Sequence, residues 1–300
     1  MIDLIYIASP SFSGSTLLTM LLNAHPRIGT IGELKWGCID IETYRCSCGA
    51  LLRECGFWND VKRRVESKGL PFDLRLPPTD FRFPDHPFAD RMVRARNRGP
   101  VFEAVRSAAI MVTPVCRERW PTIAAVNREA IEAVLDLQNA SMFVDGSKDP
   151  VRLMHLIATG DYAPRVIQLV RDGRGVTAST IKNKNTDAYT AATDWQWTHE
   201  QIERVASRLP PERFIRVHYE DLCTRTLSVM RRVFEFAGLD PDEAGTDHRR
   251  QEHHILGNSM RLRNDSDIQL DDRWRREMET EDLLEFEHVA GGLNRAYGYE

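Results

Sequence analysis

Two short segments rich in glycine and serine each follow an apolar run and precede a helical pattern. The first is 9–18 (SPSFSGSTLL), after the apolar run 4–8, and the second is 169–179 (LVRDGRGVTAS), after 165–168. A strand that leads through a tight turn into a helix directs backbone N–H groups and the positive end of the helix toward an anion. Two such turns predict a ligand with two anionic groups, one beside each turn.

Strand and helix patterns alternate along the chain, which predicts a three-layer α/β/α fold with a central, mostly parallel sheet. The predicted strands are 3–8, 28–33, 141–144, 165–170 and 214–219. The predicted helices are 13–24, 101–111, 122–137, one that begins near 175, 195–209, 224–237 and 281–294. Ligands of such sheets bind beyond the carboxyl ends of the strands. We therefore expect the ligand-binding site at this edge of the sheet. The residues predicted to lie there are 9–15, Glu33, Lys148, Arg171 and Tyr219.

The chain of 300 residues is predicted to form one domain, 1–300, with an irregular insertion at about 36–90. Within it, 36–58 is rich in cysteine, and 69–88 holds prolines and phenylalanines without periodicity. The second stretch is interpreted as an irregular loop, with a lid as one interpretation, rather than as a core element. Its phenylalanines are expected to pack on one another rather than to form a cage for an acceptor.

The composition argues against several classes of protein. The net charge is −4, so no overall positive field favours nucleic acid. The apolar run near the N-terminus is too short for a signal peptide or a membrane span and lacks a basic flank, which predicts a cytoplasmic protein. Five arginines cluster in one region, and we interpret them as a solvated face or, alternatively, as the lining of a pocket for an anionic acceptor. They are Arg91, Arg94, Arg96, Arg98 and Arg106.

Four of the six cysteines lie close together in the sequence, at Cys38, Cys46, Cys48 and Cys55. Four thiolates would suit a zinc ion. However, the C-x-C spacing is tight and paired C-x-x-C motifs are missing. Buried thiols or a structural disulfide are the alternatives, and packing is favoured over zinc.

The first turn differs from the P-loop of nucleoside triphosphatases. That motif places lysine after the glycine, where it reaches the terminal phosphates. Here Gly14 is followed by Ser15 and Thr16. A loop without that lysine suits a less charged group than a triphosphate, and a phosphosulfate is such a group.

The two turns resemble the 5′-phosphosulfate loop and the 3′-phosphate motif of the bacterial-type, P-loop-like sulfotransferases that use 3′-phosphoadenosine 5′-phosphosulfate (PAPS). The segment 218–222 (HYEDL) is similar to the family's Tyr-Glu-Asp strand end. Four further segments resemble stretches of bacterial members, namely 46–58, 256–261, 268–274 and 297–299. The order and spacing of these motifs, more than any one of them, carry the resemblance.

The resemblance implies an enzyme of the EC 2.8.2 type that transfers a sulfuryl group from PAPS to a hydroxyl and releases PAP (3′-phosphoadenosine 5′-phosphate), with no metal required. The acceptor would be a small molecule, a carbohydrate or a peptidyl group, and nothing in the sequence selects among them or sets the oligomeric state. The donor-binding residues that it implies are Ser13, Gly14, Ser15, Thr16, Leu17, Arg171, Ser179, Tyr219 and Arg261.

Each of these residues has an implied role. The first loop would hold the 5′-phosphosulfate, while Arg171 and Ser179 would hold the 3′-phosphate. Tyr219 would contact the adenine edge, and Arg261 would close over the phosphate. The alternative is that Arg171 forms a surface pair with its neighbour and that Ser179 is an ordinary helix residue.

Two catalytic residues are implied as well. Glu33 is placed like the family's carboxylate base, and Lys148 like the lysine that faces the bridging oxygen. The alternatives are an exposed acid at a strand end and a surface lysine before a turn. Four histidines are further candidate bases, although packing or capping roles are favoured for them. They are His25, His155, His199 and His218.

One position departs from the family pattern. Phe12 stands where the family usually has lysine or arginine. Either Lys148 serves the leaving group together with another cation, for which Arg174 and Arg45 are candidates, or the chain has lost activity. The alternatives to a sulfotransferase are a catalytically silent nucleotide-binding protein, which Phe12 motivates, and a small-molecule kinase of the P-loop fold, which the missing lysine disfavours.

Overall fold

The computed structural model describes residues 1–35, 37–245, 254–257, 262 and 267–300. Its strands are β1 (Ile2–Ala8), β2 (Ile28–Thr30), β3 (Met142–Lys148), β4 (Tyr162–Val170) and β5 (Phe214–His218). Its helices are α1 (Ser15–Leu22), α2 (Gly56–Ser67), α3 (Pro87–Val93), α4 (Pro100–Val112), α5 (Pro114–Leu137), α6 (Pro150–Thr159), α7 (Gly173–Lys184), α8 (Ala188–Ala206), α9 (Tyr219–Thr224), α10 (Thr226–Ala237), α11 (Trp274–Glu277) and α12 (Thr280–Ala296). None of these helices is both long and apolar enough to cross a bilayer.

The strands form one parallel sheet in the order β2-β3-β1-β4-β5. The central strand β1 is apolar from Leu4 to Ala8, and these residues are fully buried because helices cover both faces of the sheet. The predicted α/β fold with a parallel sheet is confirmed. All five predicted strands exist, with bounds that differ by at most four residues.

The strand ends meet at one edge of the sheet. Ala8 lies opposite Lys148 across the β1–β3 pair and opposite Gln168 across the β1–β4 pair. Val170 lies opposite His218 in the β4–β5 pair. The residues that follow these strands therefore share one edge, as expected of a parallel sheet.

Two large apolar clusters pack on the two faces of the sheet. One joins β1 and β3 to α2, α5 and α6, and it includes Trp58 and Phe143. The other joins the opposite face to α1 and α10, and it includes Leu18 and Phe234. A third, smaller cluster packs α12 against α7 and α8 around Trp195.

The proline- and phenylalanine-rich stretch is irregular until α3 begins, but the interpretation that it lies outside the core is wrong. Phe72, Phe81 and Phe83 are buried in the cluster around Trp58, whereas Phe88 is exposed. Their spacing carries no period because the backbone is irregular, so burial could not be predicted from the pattern.

Other differences follow from local chemistry. Helix α6 was not predicted, and Asp149 caps its N-terminus, since the Asp149 carboxylate accepts hydrogen bonds from the N–H groups of Val151 (2.8 Å) and Arg152 (3.4 Å). The predicted helix 224–237 is found as α10, and the short helix α9, which was not predicted, precedes it, with Arg225 at φ −133° between the two. Gly238 ends α10 in a left-handed conformation, as glycine commonly does. The cluster of arginines is not on one helix, since 94–99 is irregular.

Candidate active site

The first turn is shaped by two left-handed residues. Phe12 has φ 64° and Gly14 has φ 89°. Gly14 lies against the ring of Tyr219 so closely that a Cβ there would be 2.4 Å from a ring carbon. Only glycine fits both the backbone conformation and this contact. The N-terminal end of α1 is therefore packed directly on the residue that follows β5.

Two buried hydroxyl groups in this turn have no hydrogen-bond partner among the described residues. They are the Oγ atoms of Ser9 and Ser13, and both side chains are almost completely buried. Buried hydroxyls are nearly always hydrogen-bonded, so this pair fits a polar ligand bound at the turn. Ser13 was predicted to bind the donor, whereas Ser9 was not, because a serine before proline carries no motif of its own.

Ser15 and Thr16, which begin α1, lie beside the predicted base. They line a small cavity of about 10 Å³ together with Gly32, Glu33 and other residues. Leu17, also predicted to bind the donor, has its side chain buried in the apolar cluster of α1, so only its backbone is suited to an anion.

Glu33 and Lys148 are in direct contact. The Lys148 ammonium group donates a hydrogen bond to Glu33 Oε1, and both side chains are half-buried. Lys148 has φ 70°, a conformation that is uncommon for a residue with a side chain and that often occurs at functional sites. The structure thus joins the two predicted catalytic residues, which lie 115 positions apart in the sequence.

A buried network fixes the turn before Lys148. The carboxylate of Asp145 is fully buried and accepts hydrogen bonds from the Ser147 N–H (2.9 Å) and from Arg152 Nε (3.2 Å). Arg152 also donates to the Thr79 carbonyl (2.6 Å) and to Asn127 Oδ1 (2.7 Å). Because every member is paired, the network holds the end of β3 in one arrangement.

Arg171 is buried and links the two turns. Its Nη1 donates to the carbonyl of Phe12 at 2.8 Å, and its Nη2 donates to the carbonyl of Asp271 at 2.8 Å. A carboxylate oxygen of Asp271 lies 3.3 Å from Nη2. The guanidinium also lies 4.7 Å from the ring centroid of Tyr219. The alternative of an Arg171–Asp172 surface pair does not fit, since the partner of Asp172 is Arg174.

Tyr219 lies at the start of α9, between Gly14 and Arg171. Burial raises the pKa of its phenol to about 12, so the hydroxyl stays protonated. Ser179 lies on α7, and its hydroxyl donates to the Gly175 carbonyl at 2.8 Å. Gly175 in turn is close to Arg171, since a Cβ on it would be 3.3 Å from Arg171 Nε. Arg261 lies outside the described residues.

The two cations proposed to compensate for Phe12 have other contacts. Arg174 pairs with Asp172 at 2.8 Å, and Arg45 donates to the Gly49 carbonyl at 2.7 Å. A third cation is near Phe12 itself, because Lys184 Nζ lies 5.8 Å from the centroid of its ring. No motif indicates Lys184, because it is far from Phe12 in the sequence, at the C-terminal end of α7.

The candidate histidines have packing contacts elsewhere. Burial lowers the pKa of His155 to about 4 and that of His199 to about 3, so both are neutral near pH 7. His155 Nε2 lies 2.9 Å from the Val93 carbonyl, and His199 Nδ1 lies 3.1 Å from Gln168 Nε2. These contacts fit the favoured packing role.

An open cavity of about 810 Å³ is lined by arginines of the predicted cluster. Arg94, Arg96 and Trp197 also line a second cavity of about 190 Å³, which reaches Lys35 and Asp149. Four cluster members line the larger cavity, namely Arg91, Arg94, Arg96 and Arg98. The fifth, Arg106, is instead buried and paired with Glu103.

Lys35 and Asp149, which line the second cavity, are close in the sequence to the predicted catalytic residues. Lys35 Nζ lies 2.5 Å from Asp149 Oδ2, and Asp149 directly follows Lys148. Burial raises the pKa of Asp149, but the Lys35 ammonium and the N–H groups of α6 lower it more, so its net pKa lies below the ordinary value. Asp149 is therefore charged at neutral pH. Lys35 was missed by sequence reasoning, although it lies two positions after Glu33.

Comparisons with known proteins agree with this architecture. A family model described as the sulfotransferase family matches residues 73–243. The sulfotransferase domain from the Synechococcus PCC 7002 olefin synthase has a similar structure, with a TM-score of 0.53 and 20% identity, over 100% of this chain and 95% of that one. The sulfotransferase domain from the curacin biosynthetic pathway has a TM-score of 0.52 and 17% identity, over 100% of this chain and 99% of that one. No curated protein matches the chain by sequence.

Proposed function

The chain belongs to the sulfotransferase family, and from this premise we propose that it transfers a sulfuryl group from PAPS to an acceptor hydroxyl. The observation that carries the proposal is the pair of polar positions at one edge of the sheet. The buried, unpartnered hydroxyls of Ser9 and Ser13 are at one turn, and the buried guanidinium of Arg171 is at the other. Two polar positions of this kind suit a ligand that carries two anionic groups.

The donor would be held without a metal. Backbone N–H groups of 13–16 and the hydroxyls of the first turn would bind the 5′-phosphosulfate, helped by the positive end of α1. Arg171 would bind the 3′-phosphate with two N–H groups, and Ser179 would assist from α7. Tyr219, packed between Gly14 and Arg171, would contact the adenine edge.

Bound PAPS would supply the sulfuryl group and a phosphate leaving group. The Glu33 carboxylate would accept the proton of the acceptor hydroxyl, which makes its oxygen a better nucleophile. The Lys148 ammonium group would balance the charge that develops on the leaving phosphate oxygen. Lys184, close to Phe12, would add positive charge at the same turn.

We further propose that the acceptor enters through the arginine-lined cavity and carries a negative charge. Four arginines on one cavity would attract an anion, and the smaller neighbouring cavity continues toward Lys35 and Asp149. A single domain, 1–300, remains part of the proposal, with 36–90 contributing to the acceptor side.

Calorimetry with PAP tests the donor proposal. PAP is expected to bind without magnesium and to raise the melting temperature, whereas ATP alone is not. Transfer of label from PAPS to a panel of anionic and neutral hydroxyl compounds then tests catalysis. Absence of PAP binding would refute the proposal. Tight PAP binding without transfer to any compound would favour a silent nucleotide-binding protein, the function that Phe12 leaves open.

A further inference from the structure

Three cysteines and a histidine converge at a point away from the donor turns. The Sγ atoms of Cys46, Cys48 and Cys55 and a ring nitrogen of His254 all lie within 4.8 Å of one another. Cys48 Sγ is 3.8 Å from Cys55 Sγ, and His254 Nδ1 is 3.7 Å from Cys46 Sγ and 3.5 Å from Cys55 Sγ. His254 follows the cysteines by about 200 residues, so no spacing motif could reveal it.

These distances match the edges of a tetrahedron around a zinc ion. With Zn–S bonds of about 2.3 Å and Zn–N bonds of about 2.0–2.1 Å, a tetrahedral site has S···S edges near ~3.8 Å and S···N edges near ~3.5 Å. A disulfide needs sulfur atoms about 2.05 Å apart, so the arrangement of Cys48 and Cys55 is not that of a disulfide. The donor set of three thiols and one imidazole is one that zinc commonly has in structural sites.

Backbone hydrogen bonds form a turn that contains Cys46 and Cys48. The Cys46 N–H donates to the Ala50 carbonyl at 2.9 Å, and the Gly49 N–H donates to the Cys46 carbonyl at 2.9 Å. Gly49 has φ 90°, which lets the chain reverse between Cys48 and Leu51. Cys46 and Cys55 are buried, whereas Cys48 is exposed and leaves an entry path for an ion.

The histidine is held in place by its own neighbours. The ring of Phe57 stacks on the ring of His254, with centroids 4.3 Å apart and planes inclined by 2°. The next residue is also fixed to the cysteine segment, because the Ile255 N–H donates to Ser47 Oγ at 2.8 Å. Such contacts orient a ligand histidine before a metal arrives.

We propose that Cys46, Cys48, Cys55 and His254 bind one zinc ion. Four protein ligands close the coordination sphere, so the metal is structural and takes no part in the transfer chemistry. The zinc alternative considered for the sequence used Cys38 as fourth ligand. Cys38 is exposed and is not a member of the group. His254 replaces it.

The metal would hold the segment 254–257 in place where it crosses the chain next to Glu33. Directly after His254, the Leu256 N–H donates to the Ile31 carbonyl at 2.8 Å, and Leu256 bridges to Gly32. Gly257 is so close to Glu33 that a Cβ on it would lie 3.1 Å from Oε1. The zinc site thus ties the cysteine segment and the crossing 254–257 to the end of β2.

Metal analysis of the purified full chain tests the proposal independently of any enzymatic activity. Protein prepared under reducing conditions is expected to contain one equivalent of zinc by mass spectrometry. After removal of zinc with a chelator, Co²⁺ is expected to give intense visible bands of a tetrahedral site and a thiolate-to-cobalt charge-transfer band. A native protein without zinc whose apo form gives no thiolate–cobalt band would overturn the proposal, as would a Cys48–Cys55 disulfide in the isolated protein.

Variants of two exposed cysteines supply a matched comparison. Cys48→Ser is expected to lower zinc content at least tenfold at a fixed chelator concentration, since it removes a ligand. Cys38→Ser is expected to retain one equivalent. Equal retention by both variants, or equal loss, would contradict the ligand assignment. If Cys48→Ser fails to fold, the cobalt spectrum of the wild-type protein still decides whether thiolates bind the ion.

Discussion

The ammonium group of Lys148 donates a hydrogen bond to the carboxylate of Glu33 across the carboxyl edge of the sheet. A lysine with a left-handed backbone and an acid just after a short strand are thereby placed as one pair. Each side chain neutralises the other in the absence of substrate. The pair therefore gives two separable predictions, one for the leaving group and one for the acceptor proton.

The first concerns Lys148. Replacing it with alanine removes the cation proposed to face the leaving oxygen, and kcat is expected to fall by about 100- to 1,000-fold. The Kd of PAP should change little, because the phosphates keep their N–H and Arg171 partners. Calorimetry and initial rates measure the two effects. Unaltered turnover with bound PAPS would show that Lys148 is not the leaving-group cation.

For Glu33, the informative change is Glu33→Gln, which keeps the shape and removes the proton acceptor. The rate with an ordinary alcohol or phenol is expected to fall by about 100- to 10,000-fold. The rate with an acidic phenol should fall much less, because such a phenol is already partly ionised. A loss of rate that is the same for acceptors of every acidity would contradict the role of a base.

Arg171 is expected to discriminate nucleotides by their 3′-phosphate. In Arg171→Ala, the preference for PAP over adenosine 5′-monophosphate should fall by about 10- to 100-fold, because charged hydrogen bonds are worth about 1.5–3 kcal/mol. Lys182→Ala is the control, since Lys182 is a highly exposed cation on α7, the helix that follows Arg171 in the sequence. An unchanged preference in Arg171→Ala would remove Arg171 from the proposed 3′-phosphate site.

Charge reversal in the arginine-lined cavity tests the acceptor side. The double variant Arg94→Glu and Arg98→Glu should raise the KM of an anionic acceptor about tenfold or more and leave the Kd of PAP unchanged. Arg117→Glu, an exposed position on α5 outside the cavity lining, is the matched control. An equal effect on neutral and anionic acceptors would argue against a charged acceptor.

The buried histidines predict how stability depends on pH. Burial lowers the pKa of His155 to about 4 and of His199 to about 3, below the value of about 6.5 in the unfolded chain. The unfolded state therefore binds more protons, and the free energy of unfolding falls as the pH drops below about 6.5. Lowering the pH from 7 to 5 is expected to remove about 2 kcal/mol for each histidine.

Urea denaturation at several pH values measures this effect. His155→Gln should reduce the loss of unfolding free energy between pH 7 and 5 by the contribution of one histidine. His288→Gln, at an exposed position of α12, should leave that loss unchanged. A wild-type stability that stays constant between pH 7 and 5 would show that neither buried ring becomes protonated on unfolding.

The edge of the sheet was predictable because strand ends follow from short-range patterns. Each of three features is encoded in a continuous stretch of about ten residues or fewer. They are the apolar run of β1, the turn at Gly14 and the turn before α7. Contacts between distant segments were not predictable in this way. The pairing of Arg171 with Asp271 and the position of Lys184 beside Phe12 depend on how helices pack on the sheet, which no local period encodes.

The cysteine segment is a second case in which a contact with a distant residue could not be predicted from the local sequence. Its clustered thiols left zinc, buried thiols and a disulfide open, with packing favoured, and the zinc alternative included Cys38, which is not in the group that the structure brings together. His254 joins the group only because the chain returns to β2 after the sheet is complete. Likewise, the phenylalanines of 69–88 are core residues on an irregular backbone, where hydrophobicity is informative but periodicity is not.

The carboxylate of Asp271 already pairs with the guanidinium of Arg171, the group that a 3′-phosphate would need. Interaction with Arg273, together with the nearby Arg171, lowers the pKa of Asp271 to about 2, so this carboxylate remains an anionic competitor at any physiological pH. A nucleotide that binds Arg171 through its 3′-phosphate would therefore displace this carboxylate. The displacement would lower the net affinity for the nucleotide, and the return of the tethered carboxylate to Arg171 would aid release of the product.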